Sequence, residues 1–138
     1  MARILGIDPG TRRCGVSITD SAQTMAFPRP ALAADESLMS ALSGLVQDES
    51  VVLIVVGRPV ALSGKETAST SLADQLYESI QRTLPDMEVI QWDERLTTRE
   101  AQRSLSGAGM KARQHREHID SAAAVIMLQN YLDGLNAL

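Results

Sequence analysis

Six consecutive branched aliphatic residues, Val51-Val52-Leu53-Ile54-Val55-Val56, constrain the fold of this chain more than any other stretch. An unbroken apolar run of strand length reads as a β-strand covered on both faces, which places helices on either side of a sheet. The flanks agree. Before the run, residues 35–48 set Leu38, Leu42 and Leu45 on one helical stripe; after it, Gly57-Arg58-Pro59 ends the strand. A second helix is predicted over 66–84, with Leu72, Leu76, Ile80 and Leu84 four apart and Ser63 to Glu66 as its cap. Upstream, residues 2–8, the alternating segment 14–19 and a weaker strand near 24–32 read as a meander. Pro28 and Pro30 suit the last of these to a sheet edge. Downstream come a strand over 87–93, a short helix opened by the Thr97–Glu100 capping pattern, a non-periodic basic segment 107–116 and a final helix near 117–134. That final helix is apolar on most of its circumference, which predicts deep packing. The sum is one three-layer α/β domain over 1–138, a mixed five-stranded sheet with helices on both faces.

Composition removes several classes. A single cysteine, Cys14, excludes an internal disulfide framework and a cysteine-rich zinc site, and suits a cytoplasmic protein. No run reaches transmembrane length and Met-Ala-Arg-Ile-Leu-Gly has no signal-peptide core, so no membrane partner is expected. The net charge of −4 disfavours a polyanionic partner only until its distribution is considered. From Arg95 to His118 six basic residues face two acids, a local +4 that leaves −8 on the remainder. An acidic chain can present one basic edge.

Three acids stand where carboxylates are costly to leave unpaired: Asp8 between an apolar strand and the turn Pro9-Gly10, Glu94 just after Val89-Ile90 and Trp92, and Asp120 at the head of a small-residue helix. Each has a plain structural alternative: a turn cap, a surface ion pair, a helix-start acid. Jointly they suggest oxygen ligands for a hard divalent cation such as Mg²⁺, and metal-assisted phosphodiester cleavage. Adjacent strand residues point to opposite faces, so only one of Asp93 and Glu94 should address such a site.

Four motifs then make a specific match. Gly6-Ile7-Asp8-Pro9-Gly10-Thr11-Arg12-Arg13-Cys14-Gly15-Val16, Val55-Val56-Gly57-Arg58-Pro59, Asp93-Glu94-Arg95-Leu96-Thr97-Thr98 and Asp120-Ser121-Ala122-Ala123-Ala124-Val125-Ile126 resemble, in order and spacing, those of the YqgF (RuvX) family of pre-ribosomal RNA nucleases and Holliday-junction-resolvase homologues. The resemblance implies an RNase H-like fold and a catalytic, metal-binding set of Asp8, Glu94 and Asp120, using Mg²⁺ or Mn²⁺; for in-line attack with two ions, Asp8 is the expected bridging ligand and Glu94 and Asp120 the flanking ones. Pro9 stands where family members often carry an aromatic, which is similar to RuvC resolvases; Arg58 replaces a common Leu and adds a candidate phosphate contact.

Backbone phosphates would fall to Arg12, Arg13, Arg58, Arg95, Arg99, Lys111, Arg113 and Arg116. With one Trp, two Tyr and one Phe, base stacking cannot dominate, so recognition of a structured RNA or branched DNA by shape is expected. The resemblance favours 5′-end processing of the small-subunit ribosomal RNA precursor. Junction resolution and a non-catalytic RNA-binding assembly factor are the alternatives, and homodimerisation stays open. His115 and His118 read as surface charge and Cys14 as a small buried hydrophobe. A P-loop reading of Gly57–Glu66 fails on glycine spacing and on Glu66 in place of Ser or Thr.

Overall fold

The Val51–Val56 run lies inside a sheet, one strand from its edge. The computed structural model describes residues 2–59, 61, 63–93 and 121–136. Its strands are β1 (Arg3–Asp8), β2 (Arg13–Thr19), β3 (Ala26–Ala33), β4 (Val51–Arg58) and β5 (Glu88–Asp93); its helices are α1 (Leu38–Asp48), α2 (Ala68–Thr83) and α3 (Ala122–Asn136). The strands form one sheet ordered β3-β2-β1-β4-β5. β1, β2 and β3 make the antiparallel meander, while β1, β4 and β5 run parallel. The parallel half therefore ends with Asp8, Arg58 and Asp93 on one edge.

Residue parity sorts the core into two layers. Leu5, Ile7, Val16, Ile18, Ile54, Val56 and Val89 pack with Leu38 and Leu42 of α1 and Leu76 and Ile80 of α2. On the opposite face Ile4 and Val55 meet Val125, Met127, Leu128 and Leu132 of α3, with Trp92 and Tyr131 edge to face at 5.4 Å. α3 is deep on one side only: Ala123 is exposed and Leu135 is 49% exposed. β3 is the edge strand that its prolines suggest, and its ladder with β2 shifts register between Cys14 and Val16.

The first two helices start later than expected, α1 at Leu38 rather than residue 35 and α2 at Ala68 rather than residue 66, and the cap of α2 differs as well. α2 is capped by Thr67, in a reciprocal box with Thr70, and not by Ser63 and Glu66. Thr70 is fully buried and its hydroxyl also donates to the Pro59 carbonyl, so a buried threonine can do what an exposed serine cannot. The helix predicted after Thr97 lies outside the described residues. On α1, Gly44 faces open solvent with nothing within 4 Å of an added Cβ. Gly44→Ala should therefore raise stability by about 0.5–1 kcal/mol, since it removes unfolded-chain freedom without a clash. Urea denaturation reads this directly.

Candidate functional site

The carboxyl end of β1 builds a polar cleft. Parity places Asp8 with Ile4 and Gly6 on the α3 face, because Ile4 packs with the α3 cluster and a Cβ on Gly6 would meet Leu128 at 3.0 Å. Asp8 pairs across the ladder with Gly15, which brings no side chain to crowd the carboxylate. The turn between them needs glycine at Gly10: an added Cβ there would lie 2.1 Å from the Arg13 carbonyl oxygen. Asp8, Pro9, Gly10, Thr11, Arg12, Arg13 and Gly15 line a cleft of about 270 Å³. Asp8 is half-buried, Arg12 and Arg13 are exposed, and among the described residues no hydrogen bond or ion pair holds the Asp8 carboxylate. A half-buried carboxylate with no cationic partner among the described residues, in a cleft with two arginines, suits a hard cation and a phosphate arriving together.

A larger cleft, about 400 Å³, lies behind the same turn, between α1 and α2. Its floor is Cys14, Leu38, Met39, Leu72 and Leu76, and Asp35 on its rim is engaged by Ser37. Volume favours it; chemistry favours the smaller one, lined by two arginines and by an acid with no ion pair among the described residues. Cys14 itself is buried, and burial pushes its thiol up, away from reactivity.

Arg58 ends β4 on the other face. Its guanidinium donates through Nε and Nη2 to Asp74 of α2 at 2.9 and 3.3 Å, and through Nη2 to Glu66 at 2.8 Å. Gln91 of β5 donates to the same Asp74 at 2.7 Å. The two acids raise the Arg58 pKa, and Arg58 followed by Gln91 lowers that of Asp74. Asp74 thus ties the ends of β4 and β5 to α2, through Arg58 and Gln91, and two carboxylates already balance the Arg58 charge. Asp74 was invisible to sequence reasoning, since its partners lie 16 and 17 residues away. A carboxyl held below its ordinary range adds stability that is present above the unfolded value and lost as pH falls through the folded one. The Tm deficit of Asp74→Asn should therefore be present at pH 7 and shrink as pH falls below 4, a contrast that thermal melts at the two pH values resolve.

Glu94, Asp120, Arg95, Arg99, Lys111, Arg113 and Arg116 lie outside the described residues, as do His115 and His118. Among the described residues no three metal-ligating side chains cluster. The neighbours of Glu94 and Asp120 are described. β5 ends at Asp93, paired with Arg58. Ser121, next to Asp120, is buried against Val16, which pairs with Ile7 beside Asp8.

Known proteins match this arrangement. A protein of Thermus thermophilus, RuvC in complex with a Holliday junction substrate, superposes with a TM-score of 0.64 at 11% identity, covering 99% of this chain and 97% of its own. The Fowlpox virus resolvase with Holliday junction DNA gives 0.63 at 9% identity, covering 96% and 98%. These likenesses establish the fold, an RNase H-like α/β arrangement, as expected. In sequence, a Corynebacterium jeikeium protein named "Putative pre-16S rRNA nuclease" is 39% identical over 133 residues, covering 95% of this chain and 86% of its own. An Amoebophilus asiaticus protein of the same name is 38% identical over 134 residues, covering 96% and 94%. No helix among the described residues is long and apolar enough to cross a membrane. The model of the RuvX family, described as Holliday junction resolvase, matches residues 2–134, and with relatives this similar over nearly its whole length the chain belongs to that family.

Proposed function

We propose that this chain is a divalent-metal-dependent nuclease that hydrolyses phosphodiester bonds in structured RNA, acting in the cytoplasm at the 5′ end of the small-subunit ribosomal RNA precursor. The observation that carries the reading is Asp8: a half-buried carboxylate at a strand's carboxyl end, without a described partner, in a cleft with Arg12 and Arg13. Ligand sites of open α/β sheets lie outside such strand ends. The names of the curated relatives supply the substrate.

Glu94 and Asp120 complete the proposed acidic set, and the described framework supports both. Val89 joins the α1/α2 core and Gln91 bonds Asp74 of α2, so Asp93 shares their parity and faces away from Asp8. A carboxylate from this strand that joins Asp8 then comes from Glu94. Asp120 precedes a serine fastened beside the Asp8 hairpin, and consecutive Cα atoms are about 3.8 Å apart. Asp8, Glu94 and Asp120 would hold Mg²⁺ or Mn²⁺, which supplies activation of water and neutralisation of charge on the leaving oxygen. Arg12 and Arg13 bind the phosphate backbone and orient it over Asp8, with Arg95, Arg99, Lys111, Arg113 and Arg116 extending that contact along the substrate. The RuvX description and the resolvase fold favour branched DNA as the second reading.

The test is cleavage of labelled pre-ribosomal RNA fragments and four-way DNA junctions by pure protein with Mg²⁺ or Mn²⁺. Preferential metal-dependent cutting of the RNA is the expected result; preferential cutting of junctions establishes the second reading. Binding of both with no cutting of either identifies a non-catalytic assembly factor.

A further inference from the structure

The larger cleft, between α1 and α2, takes no part in the cleavage chemistry proposed for Asp8. Its volume of about 400 Å³ is that of a small-molecule site, and so is its make-up, an apolar floor with a few polar groups at the rim. Cys14, Leu38 and Leu76 are buried in that floor, while Met39 and Leu72 stay partly exposed. Burial pushes the Cys14 thiol up, so it brings no charge. Among the described lining residues the charged groups are Asp35 and Glu36, both exposed on the connection from β3 to α1, and none is basic. Neither acid makes an ion pair among the described residues. Ser37 donates twice to Asp35 Oδ1, at 2.8 and 2.5 Å, which holds that carboxyl below its ordinary range and ionised. The amino end of α1 opens beside these acids and contributes roughly half a positive charge, which two full carboxylates outweigh. On the opposite wall Gln75 and Ser79 of α2 are polar but neutral.

We propose that this cleft binds a small primary aliphatic ammonium ion, with its hydrocarbon body on the Leu38, Leu72 and Leu76 floor and its cation held by Asp35 and Glu36. A carboxylate of the same length would meet two like charges, and an alcohol would gain the floor without the ion pair. Pro9 and Gly10 line this cleft and the Asp8 cleft alike, so the ligand lies against the back of the hairpin that carries Asp8. The assignment uses none of the acidic set, and its failure leaves the nuclease reading intact.

The experiment titrates the full chain with hexylammonium, hexanol and hexanoate and follows the methyl NMR signals of Leu38, Met39, Leu72 and Leu76. Hexylammonium should shift these signals saturably in about the millimolar range, the strength open to so small a ligand. Hexanol should bind about fivefold more weakly, and hexanoate more weakly still. Asp35→Asn combined with Glu36→Gln should lower hexylammonium affinity by about fivefold and leave hexanol unchanged. Both side chains are exposed, so the fold survives the change. Equal affinity for the three probes overturns the assignment, and so does tighter binding of hexanoate, which would give the cleft to the amino end of α1. Methyl shifts that follow protein concentration alone would place a second copy in the cleft. Failure of hexylammonium where a helical Leu–Lys peptide binds would assign it to a protein partner. Either result overturns the small-ligand assignment, as does binding by none of the probes.

Discussion

Asp8→Asn should abolish metal-dependent cleavage, by about a thousandfold or more, while leaving the fold intact. Asparagine keeps the shape of the side chain and removes its charge. Among the described residues the Asp8 carboxylate makes no ion pair, so its neutralisation breaks no described contact. Tm should stay near the wild-type value in the metal-free protein, because the substitution keeps the side chain's shape and breaks no described contact. Nucleic-acid binding should persist through the arginines, with its salt dependence unchanged, since the number of phosphate contacts is the same. Cleavage assays, a thermal melt without metal and a salt titration of binding together distinguish loss of chemistry from loss of structure. Wild-type cutting by the variant would remove Asp8 from the reaction.

The part of this molecule that was legible beforehand is the part governed by local pattern. Val51–Val56 announces an interior strand with both faces covered, and Ile54, Val55 and Val56 are fully buried, although Val52 near its start stays 48% exposed. Pro28 and Pro30 mark an edge because neither can donate to a second neighbour. Leu38 and Leu42, and Leu76 and Ile80, fall in the core as their spacing requires. Asp8 is prominent because a charged residue interrupts an apolar strand just before a Pro-Gly turn. Long-range polar pairing was not legible. Nothing near Ser121 in the sequence points to Val16, 105 residues away, and nothing near Asp74 points to Arg58. Such bonds fill vacancies left when strands and helices meet, and a vacancy belongs to the assembled sheet rather than to any window of residues. The cap of α2 failed for a related reason. Ser63 and Glu66 fit the capping pattern, but Thr67 and Thr70 fit the tertiary space, with Thr70 buried against Pro59.

Gly6→Val should destabilise the protein by about 4 kcal/mol, more than an ordinary overpacking substitution, because it strikes packing and hydrogen bonding together. Gly6 lies on the α3 face of β1, where a Cβ would sit 2.6 Å from Ser17 Oγ, 3.0 Å from Leu128 Cβ and 3.3 Å from Met127 Cε. The first contact pushes the Ser17 hydroxyl from the Ala124 carbonyl and leaves a buried donor and acceptor unpaired. The second meets a Cβ that can retreat only if the helix does. Lifting α3 cannot be local, since Ser121 anchors its head, while Gln129 accepts from the Ala26 amide and so holds its later turns to β3. The β1 backbone is equally fixed, paired on both sides with β2 and β4. Gly6→Ala should show a smaller loss in the same direction, about 1–3 kcal/mol. Urea denaturation of both variants beside Gly44→Ala separates the close approach at Gly6 from any general effect of removing glycine. A Gly6→Ala protein as stable as wild type would mean that α3 rides more loosely on the sheet than its hydrogen bonds indicate.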